Sequence, residues 1–230
     1  MPGPAHSRTR ARRRRQARPD VVLRAVRRGR WSPHNRRVNP APSIRRATAA
    51  DATMLAEFGA ETFLAAYAAQ VGAAVLAPYI AETFTPEHLA AELADERGRF
   101  LIAEVDGSVA AYVVVHAGER PAEVAGQRPV EIRRLYAAPA FIGRGVGSAM
   151  MRAALDAALE LSGDVAWLGV WSRNARAIAF YRRWGFEVVG SVPFMLGEVR
   201  HEDLIMARPL GGRPASGGPT GDRSGGRPTG

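Results

Sequence analysis

Three glycines stand at alternate positions in the stretch FIGRGVGSAM, Phe141 to Met150: Gly143, Gly145 and Gly147, with Arg144 between the first two. A strand-like run ends at Ala137 before them, and an alanine- and leucine-rich helical pattern follows. A glycine-rich turn that opens a helix presents successive backbone N–H groups with no intrahelical partner, and the helix dipole adds partial positive charge at the same spot. With no Cβ in the way, a phosphate can approach that backbone closely. The stretch reads as a pyrophosphate cradle. Two common cradles do not fit it. A dinucleotide-binding turn has a different glycine spacing and an acid at the end of the next strand. A nucleoside-triphosphate loop ends in Gly-Lys-Ser/Thr, and this chain contains no lysine.

Other chemistries are narrowed by what the chain lacks. There is no cysteine, which removes disulfides, a thiol nucleophile and cysteine-ligated metal. The five histidines (His6, His34, His88, His116 and His201) do not cluster at metal-ligand spacing, so no metal is expected. Ser148 and Ser172 lack the Gly-x-Ser-x-Gly setting of a serine hydrolase. Trp167, Trp171 and Trp184 read as core or cleft wall and not as base-stacking platforms.

The elements that must hold the cradle follow from periodicity. Ile44–Thr48 is a short strand. Asp51 then caps a helix to about Val71, with Met54, Leu55, Phe58, Leu64 and Tyr67 at helical spacing. Thr85-Pro86-Glu87-His88 starts a second helix, with proline at its first position, running to about Arg97 and stopped by Gly98. Phe100–Val105 and Ser108–His116 alternate and are joined by Asp106-Gly107, a strong hairpin signal. Residues 117–129 form a polar loop, and Val130–Ala137 is a strand. Gly145 to about Leu161 is a helix with Val146, Ala149, Met150, Ala153, Ala157 and Leu161 on one face. Val165–Val170 is a buried-type strand, Asn174–Trp184 a helix stopped by Gly185, and Phe186–Val192 and Asp203–Arg208 close the domain as strands. The order is strand, helix, helix, three strands, helix, strand, helix, two strands: a mixed α+β domain around one sheet.

The charge divides the 230 residues into the same three parts. Residues 1–43 carry 13 arginines against one aspartate, residues 44–210 carry 16 arginines against 20 acids, and residues 211–230 carry three arginines against one aspartate. The net +10 therefore belongs to the tails, and the central domain is mildly acidic. The Arg/Pro-rich first part and the Gly/Pro-rich last part cannot bury enough apolar surface to fold and are expected to be disordered. The N-terminal arginines have two readings, a nucleic-acid-binding arm or a plain tail; the plain tail is the favoured one, and nucleic acid is not the expected partner except by way of that arm. No apolar run has signal-peptide or membrane-spanning length, so the expectation is a cytoplasmic protein with no membrane partner.

With the second half of the chain added, GRGVG and LGVWSRNARAIAFYRRWGFEVVG together resemble the GNAT (GCN5-related) N-acetyltransferase family. Its signature runs Gln or Arg, two residues, Gly, one residue, Gly or Ala. Gly145 and Gly147 match its glycines, and Arg144 matches the usual basic residue before the first. Ile142 occupies the leading Gln/Arg place, so the cradle has to rest on its N–H groups and Arg144. The later segment resembles the family's Asn-x-x-Ala-x-x-Phe-Tyr…Gly-Phe. The resemblance covers about residues 44–210 and runs closest to the polyamine (spermidine/spermine) acetyltransferase branch. It implies an acyl-CoA N-acyltransferase fold, a central mixed and mostly antiparallel sheet flanked by helices, which can also form a homodimer.

The resemblance further implies acetyl-CoA as co-substrate and a primary amine as acceptor, with direct transfer in a ternary complex. The strand before the cradle would pair through its backbone with the pantetheine arm at Leu135, Tyr136 and Ala137. The pyrophosphate would lie on the N–H groups of Gly143, Arg144, Gly145, Val146, Gly147 and Ser148. Asn174 would contact CoA as well as cap its helix. A backbone N–H at Ala137 would polarise the thioester carbonyl. An alkyl amine of pKa about 10.4 is almost wholly protonated at neutral pH, and freeing its lone pair costs about 4 kcal/mol. A base removes that obstacle. Glu131, eleven residues before Ile142, stands in the register of the catalytic glutamate of histone-acetylating relatives, and the competing reading is an ion pair with Arg133 or Arg134. Tyr181 matches the family's tyrosine that protonates the departing thiolate, and the competing reading is a packed aromatic beside Phe180. Glu57, Glu61 and Glu82 add acidity that would attract a polyamine. Two other readings stay open: a protein N-terminal or lysine acetyltransferase, and a nucleic-acid-binding protein in which this domain senses acyl-CoA.

Overall fold

The computed structural model describes residues 41–196 and 199–211. The greater part of both expected tails lies outside them. Seven strands form one sheet: β1 (Ser43–Arg46), β2 (Gly98–Val105), β3 (Ser108–Ala117), β4 (Pro129–Ala137), β5 (Val165–Trp171), β6 (Glu187–Leu196) and β7 (Val199–Pro209). Five α-helices accompany them: α1 (Ala52–Val71), α2 (Ala73–Thr83), α3 (Pro86–Leu93), α4 (Val146–Glu160) and α5 (Ala175–Arg183). The strand order is β1-β2-β3-β4-β5-β7-β6. Each neighbouring pair is antiparallel except β4 and β5. The architecture is thus the α+β sheet expected from the sequence, with most of its pairs antiparallel.

Alternation along the strands sends side chains to two layers. On one face Val113, Val115, Val130, Ile132, Leu168 and Met206 pack under α4, which contributes Met150, Met151, Ala154 and Ala158, and under Ile178 of α5. On the other, Phe100, Ile102, Tyr112 and Val114 pack against Leu55 and Ala56 of α1 and Leu89 of α3. Phe63, Leu76, Ile80 and Phe84 join α1 to α2 beside Tyr136. Burying each of these larger side chains contributes roughly 1.5–3 kcal/mol. The Asp106-Gly107 turn between β2 and β3 holds both residues at positive φ, 51° and 74°. A two-residue turn with both residues at positive φ matches the strand twist.

Three local expectations change. Helix α2 has no counterpart in the sequence reading. Gly72 at φ 91° breaks the chain before it, and Pro78 sits inside it, so neither its start nor its interior carries an ordinary helix signal. Asp51 does not cap α1 with its side chain. It turns back instead, accepting from the Thr48 N–H at 2.7 Å and pairing with Arg45 at 2.8 Å, which holds its carboxyl down at about 2. The second predicted helix, now α3, ends at Leu93, not near Arg97. Asp95 accepts there from the Arg97 N–H at 3.0 Å, and its carbonyl accepts from the Gly98 N–H, so Gly98 opens β2.

The start of α3 is as read: Thr85 accepts from the His88 N–H at 3.1 Å, and Pro86 is the first helical residue. Thr85→Ala is expected to cost about 1 kcal/mol, read as a lower midpoint in urea unfolding, because one helix N–H loses its acceptor. Among the described residues no helix is long and apolar enough to cross a membrane.

Candidate functional site

The glycine turn lies between the end of β4 and the start of α4. Pro139–Phe141 form one 3-10 turn, after which Gly143 and Gly145 take φ of 80° and 87°. Gly145 is the residue that caps α4, in the left-handed region, and no side chain bonds to the helix start. The first intrahelical bond there runs from the Ala149 N–H to the Gly145 carbonyl at 3.0 Å. The N–H groups of Val146, Gly147 and Ser148 therefore point outward along the dipole. A Cβ on Gly145 would meet nothing within 4 Å. The glycine is set by backbone conformation and by an open approach, not by packing. Gly147 differs: its φ is ordinary, and a Cβ would only touch Phe180 at 3.8 Å. Ile142 is exposed, on the rim of the turn.

β4 reaches this turn with an open edge. It pairs with β5 only over Pro129–Glu131 against Val165–Trp167. From Ile132 to Ala137 the two strands splay. The Ala138 N–H donates to the Ala110 carbonyl at 2.9 Å, which fixes the ladder's alternation. The backbone groups of Tyr136 thus turn toward β3, while those of Leu135 and Ala137 face the splay. Of the three residues read as pairing with a ligand, two offer backbone groups to it. Tyr136 offers none, and its ring packs against Phe63, Phe84 and Tyr112. Arg133 is the extra residue of a bulge against Val114 and Val115. An edge that displays N–H and C=O groups accepts an extended amide-bearing ligand as an added strand.

Glu131 occupies the last paired position before the splay, opposite Trp167 on β5 and His116 on β3. It pairs with Arg133, whose Nε lies 3.0 Å from Oε2. Arg134 goes elsewhere, to Glu92 of α3. Tyr181 of α5 is half-buried between Phe180 and Phe186, with ring centroids at 5.5 and 6.0 Å. Burial pushes its phenol well up, so it holds its proton. Asn174 caps α5, accepting from the Ala177 N–H at 3.1 Å. Glu57, Glu61 and Glu82 are exposed.

Across the splay lies a second group that the sequence reading did not assemble. Trp167, Gly169 and Trp171 alternate along β5 onto the α1–α2 face, and Asp203 of β7 stands opposite Trp171. The Trp171 ring meets Tyr67 of α1 and His201 of β7, with centroids at 5.7 and 5.6 Å. Burial pushes the Asp203 carboxyl up, with His201 pulling the other way. Burial also raises the Tyr67 phenol, and the Asp203 charge adds to it. A cavity of about 680 Å³ opens beside Trp171 and His201, lined also by Ser172, Arg173, Arg200 and Glu202. One signal for this group was present in the sequence. Asp203 shares its alternation with the buried Ile205 and Ala207, so it had to point inward from β7.

The sequence pattern of the Acetyltransferase (GNAT) family matches residues 62–186. An uncharacterized N-acetyltransferase of Mycobacterium tuberculosis is 32% identical over 160 residues, 70% of this chain and 98% of that protein. The streptothricin acetyltransferase of Streptomyces lavendulae is 35% identical over 99 residues, 43% of this chain and 49% of that one. In structure, the PaiA N-acetyltransferase of Thermoplasma acidophilum, solved in complex with coenzyme A, superposes with a TM-score of 0.60 at 21% identity, covering 74% of this chain and 99% of that one.

Proposed function

This chain belongs to the acetyltransferase (GNAT) family, and from that premise we propose that it moves the acetyl group of acetyl-CoA to a primary amine, a polyamine or a similar small cation, by direct attack in a ternary complex. The observation that carries this is the continuity of two features: the open edge of β4 at Leu135 and Ala137 runs straight into the uncapped start of α4 at Gly145. An extended pantetheine on the first would deliver its pyrophosphate to the second. Arg144 and the N–H groups from Gly143 to Ser148 hold the phosphates, and Asn174 borders the same channel.

In the chemical step the acceptor ammonium gives up one proton, and its nitrogen lone pair attacks the thioester carbon. The Ala137 N–H polarises that carbonyl. The C–S bond then breaks, and the CoA thiolate takes a proton, leaving the neutral amide after nitrogen loses its second proton. Glu131 is the base of this reading, working through water from the closed end of the splay once Arg133 releases it. Tyr181 is the acid of this reading, on its match to the family's tyrosine; burial keeps its phenol protonated, and the developing thiolate has to draw the proton from it.

An amine panel with a thiol-release readout tests the reading. Turnover of small polyamines over peptides supports it. Turnover of peptide N-termini or lysines alone, or of nothing, rejects the acceptor or the activity. Tyr181→Phe is expected to lower kcat about 100-fold with the KM for acetyl-CoA unchanged, and an unchanged kcat removes its acid role. Glu131→Gln should lower kcat about 100-fold with the KM for acetyl-CoA unchanged, and an unchanged kcat removes its role as base.

A further inference from the structure

The base and acid of that reading leave the acceptor itself without a seat. Across the splay from β4, the α1–α2 face of β5 carries Trp167, Gly169 and Trp171 in alternation. Gly169 is exposed on this face, so the two indoles flank a gap in the sheet surface. Among the described residues, the one atom within 4 Å of a Cβ built on Gly169 is Oδ2 of Asp203, at 3.7 Å. Asp203 is half-buried, and its carboxylate makes no hydrogen bond or ion pair with any described residue. A carboxylate in that position has lost water without gaining a cation, a state that costs free energy unless a ligand supplies the charge.

We propose that the gap over Gly169, walled by Trp167 and Trp171 and backed by Asp203, is the binding site for the ammonium group of the acceptor. The inference rests on the acetyltransfer reading and deepens it by assigning the amine a place. Two observations agree. Aromatic faces attract an ammonium, and an adjacent carboxylate adds the counter-charge. Gly169 lies two residues beyond Trp167, hence about 7 Å along β5 from the level of Glu131, a separation that a short water chain spans. The groups that act on Asp203 are Tyr67 from α1 and His201 from β7, and Tyr67 in turn meets Asn174 at the start of α5 and Tyr79 from α2. None carries a fixed positive charge that would already neutralise it. Gly169 has ordinary φ, so its lack of a side chain answers to the space above it and not to the backbone.

Two variants test this. Asp203→Asn removes the charge and keeps the shape. Gly169→Val fills the gap, suits a strand, and its Cβ meets Asp203 only at van der Waals distance. Each is read by calorimetric titration with spermidine and with n-butylamine, by amine KM, and by acetyl-CoA binding as the control for folding. The expected result is a 10- to 100-fold loss of amine affinity in both variants, the range for a charged hydrogen-bonded contact, with acetyl-CoA binding unchanged. Wild-type amine affinity in both folded variants overturns the site, even if the enzyme turns amines over. Amine binding by wild type that both variants lose supports the site, even if no turnover is seen and the acetyltransfer reading falls. A wild-type protein that binds neither amine overturns it as well. Should Asp203→Asn fail to fold, Gly169→Val decides.

Discussion

Gly145→Glu protein is expected to bind acetyl-CoA at least 100-fold more weakly than wild type in a calorimetric titration. The side chain has space, since a Cβ at Gly145 meets nothing within 4 Å. Two other costs act. A residue with a Cβ at φ 87° loses about 1–2 kcal/mol of backbone stability, which falls on the turn and the first residues of α4. A carboxylate at the positive end of that helix also occupies the place where phosphate oxygens would sit and repels them. Gly145→Ala carries the first cost alone, so it should weaken binding by roughly tenfold or less, and the gap between the two variants measures the electrostatic part. Gly147→Ala needs no positive φ and only touches Phe180, so it should stay close to wild type. Equal affinity in Gly145→Glu and wild type would remove the phosphates from this turn.

How much of this was legible beforehand depends on the range of the interaction. The Asp106-Gly107 hairpin, the caps at Thr85 and Asn174, and the helix after the glycines are decided within a few residues, and the sequence shows them. Helix α2 is also local, but Gly72 and Pro78 give it the marks of a loop. Its stability comes from Leu76 and Ile80 packing on Phe63 and Phe84, contacts that no window of sequence displays. The splay is non-local altogether. That β4 leaves β5 after Glu131 depends on a parallel register between strands more than thirty residues apart. Only with that register does Tyr136 turn away from the ligand edge while Leu135 and Ala137 face it. The same holds for the seat over Gly169. Gly169 falls in a buried-type strand and alternation turns Asp203 inward, but only the β5–β7 ladder sets the two side by side.

The second large effect lies in what holds the splay. Arg134, the residue after the bulge in β4, grips Glu92 of α3 through two nitrogens, with Nη2 at 3.2 Å from Oε1, and its guanidinium lies 5.8 Å over the Phe84 ring. The two side chains are only 11% and 18% exposed, so the guanidinium depends on Glu92, and the carboxylate on Arg134 with His88 Nε2 further off at 3.7 Å. Their hydrogen bond and charge hold the guanidinium proton against the desolvation that would release it. Arg134→Met should therefore strand a half-desolvated carboxylate and cost about 3 kcal/mol in urea unfolding, or about 6–12 °C in Tm for a domain of this size. Glu92→Leu should cost a similar amount by stranding the guanidinium. The double variant should recover most of the loss, because neither charge is then left unpaired, and a cycle that shows simple additivity would mean that the pair is screened by water. Acetyl-CoA binding separates the two roles of the contact. If Arg134 also fixes the bulge from which Leu135 and Ala137 project, the double variant will be stable and still bind the co-substrate more weakly. Restored stability together with restored affinity would confine the pair to joining α3 to the sheet.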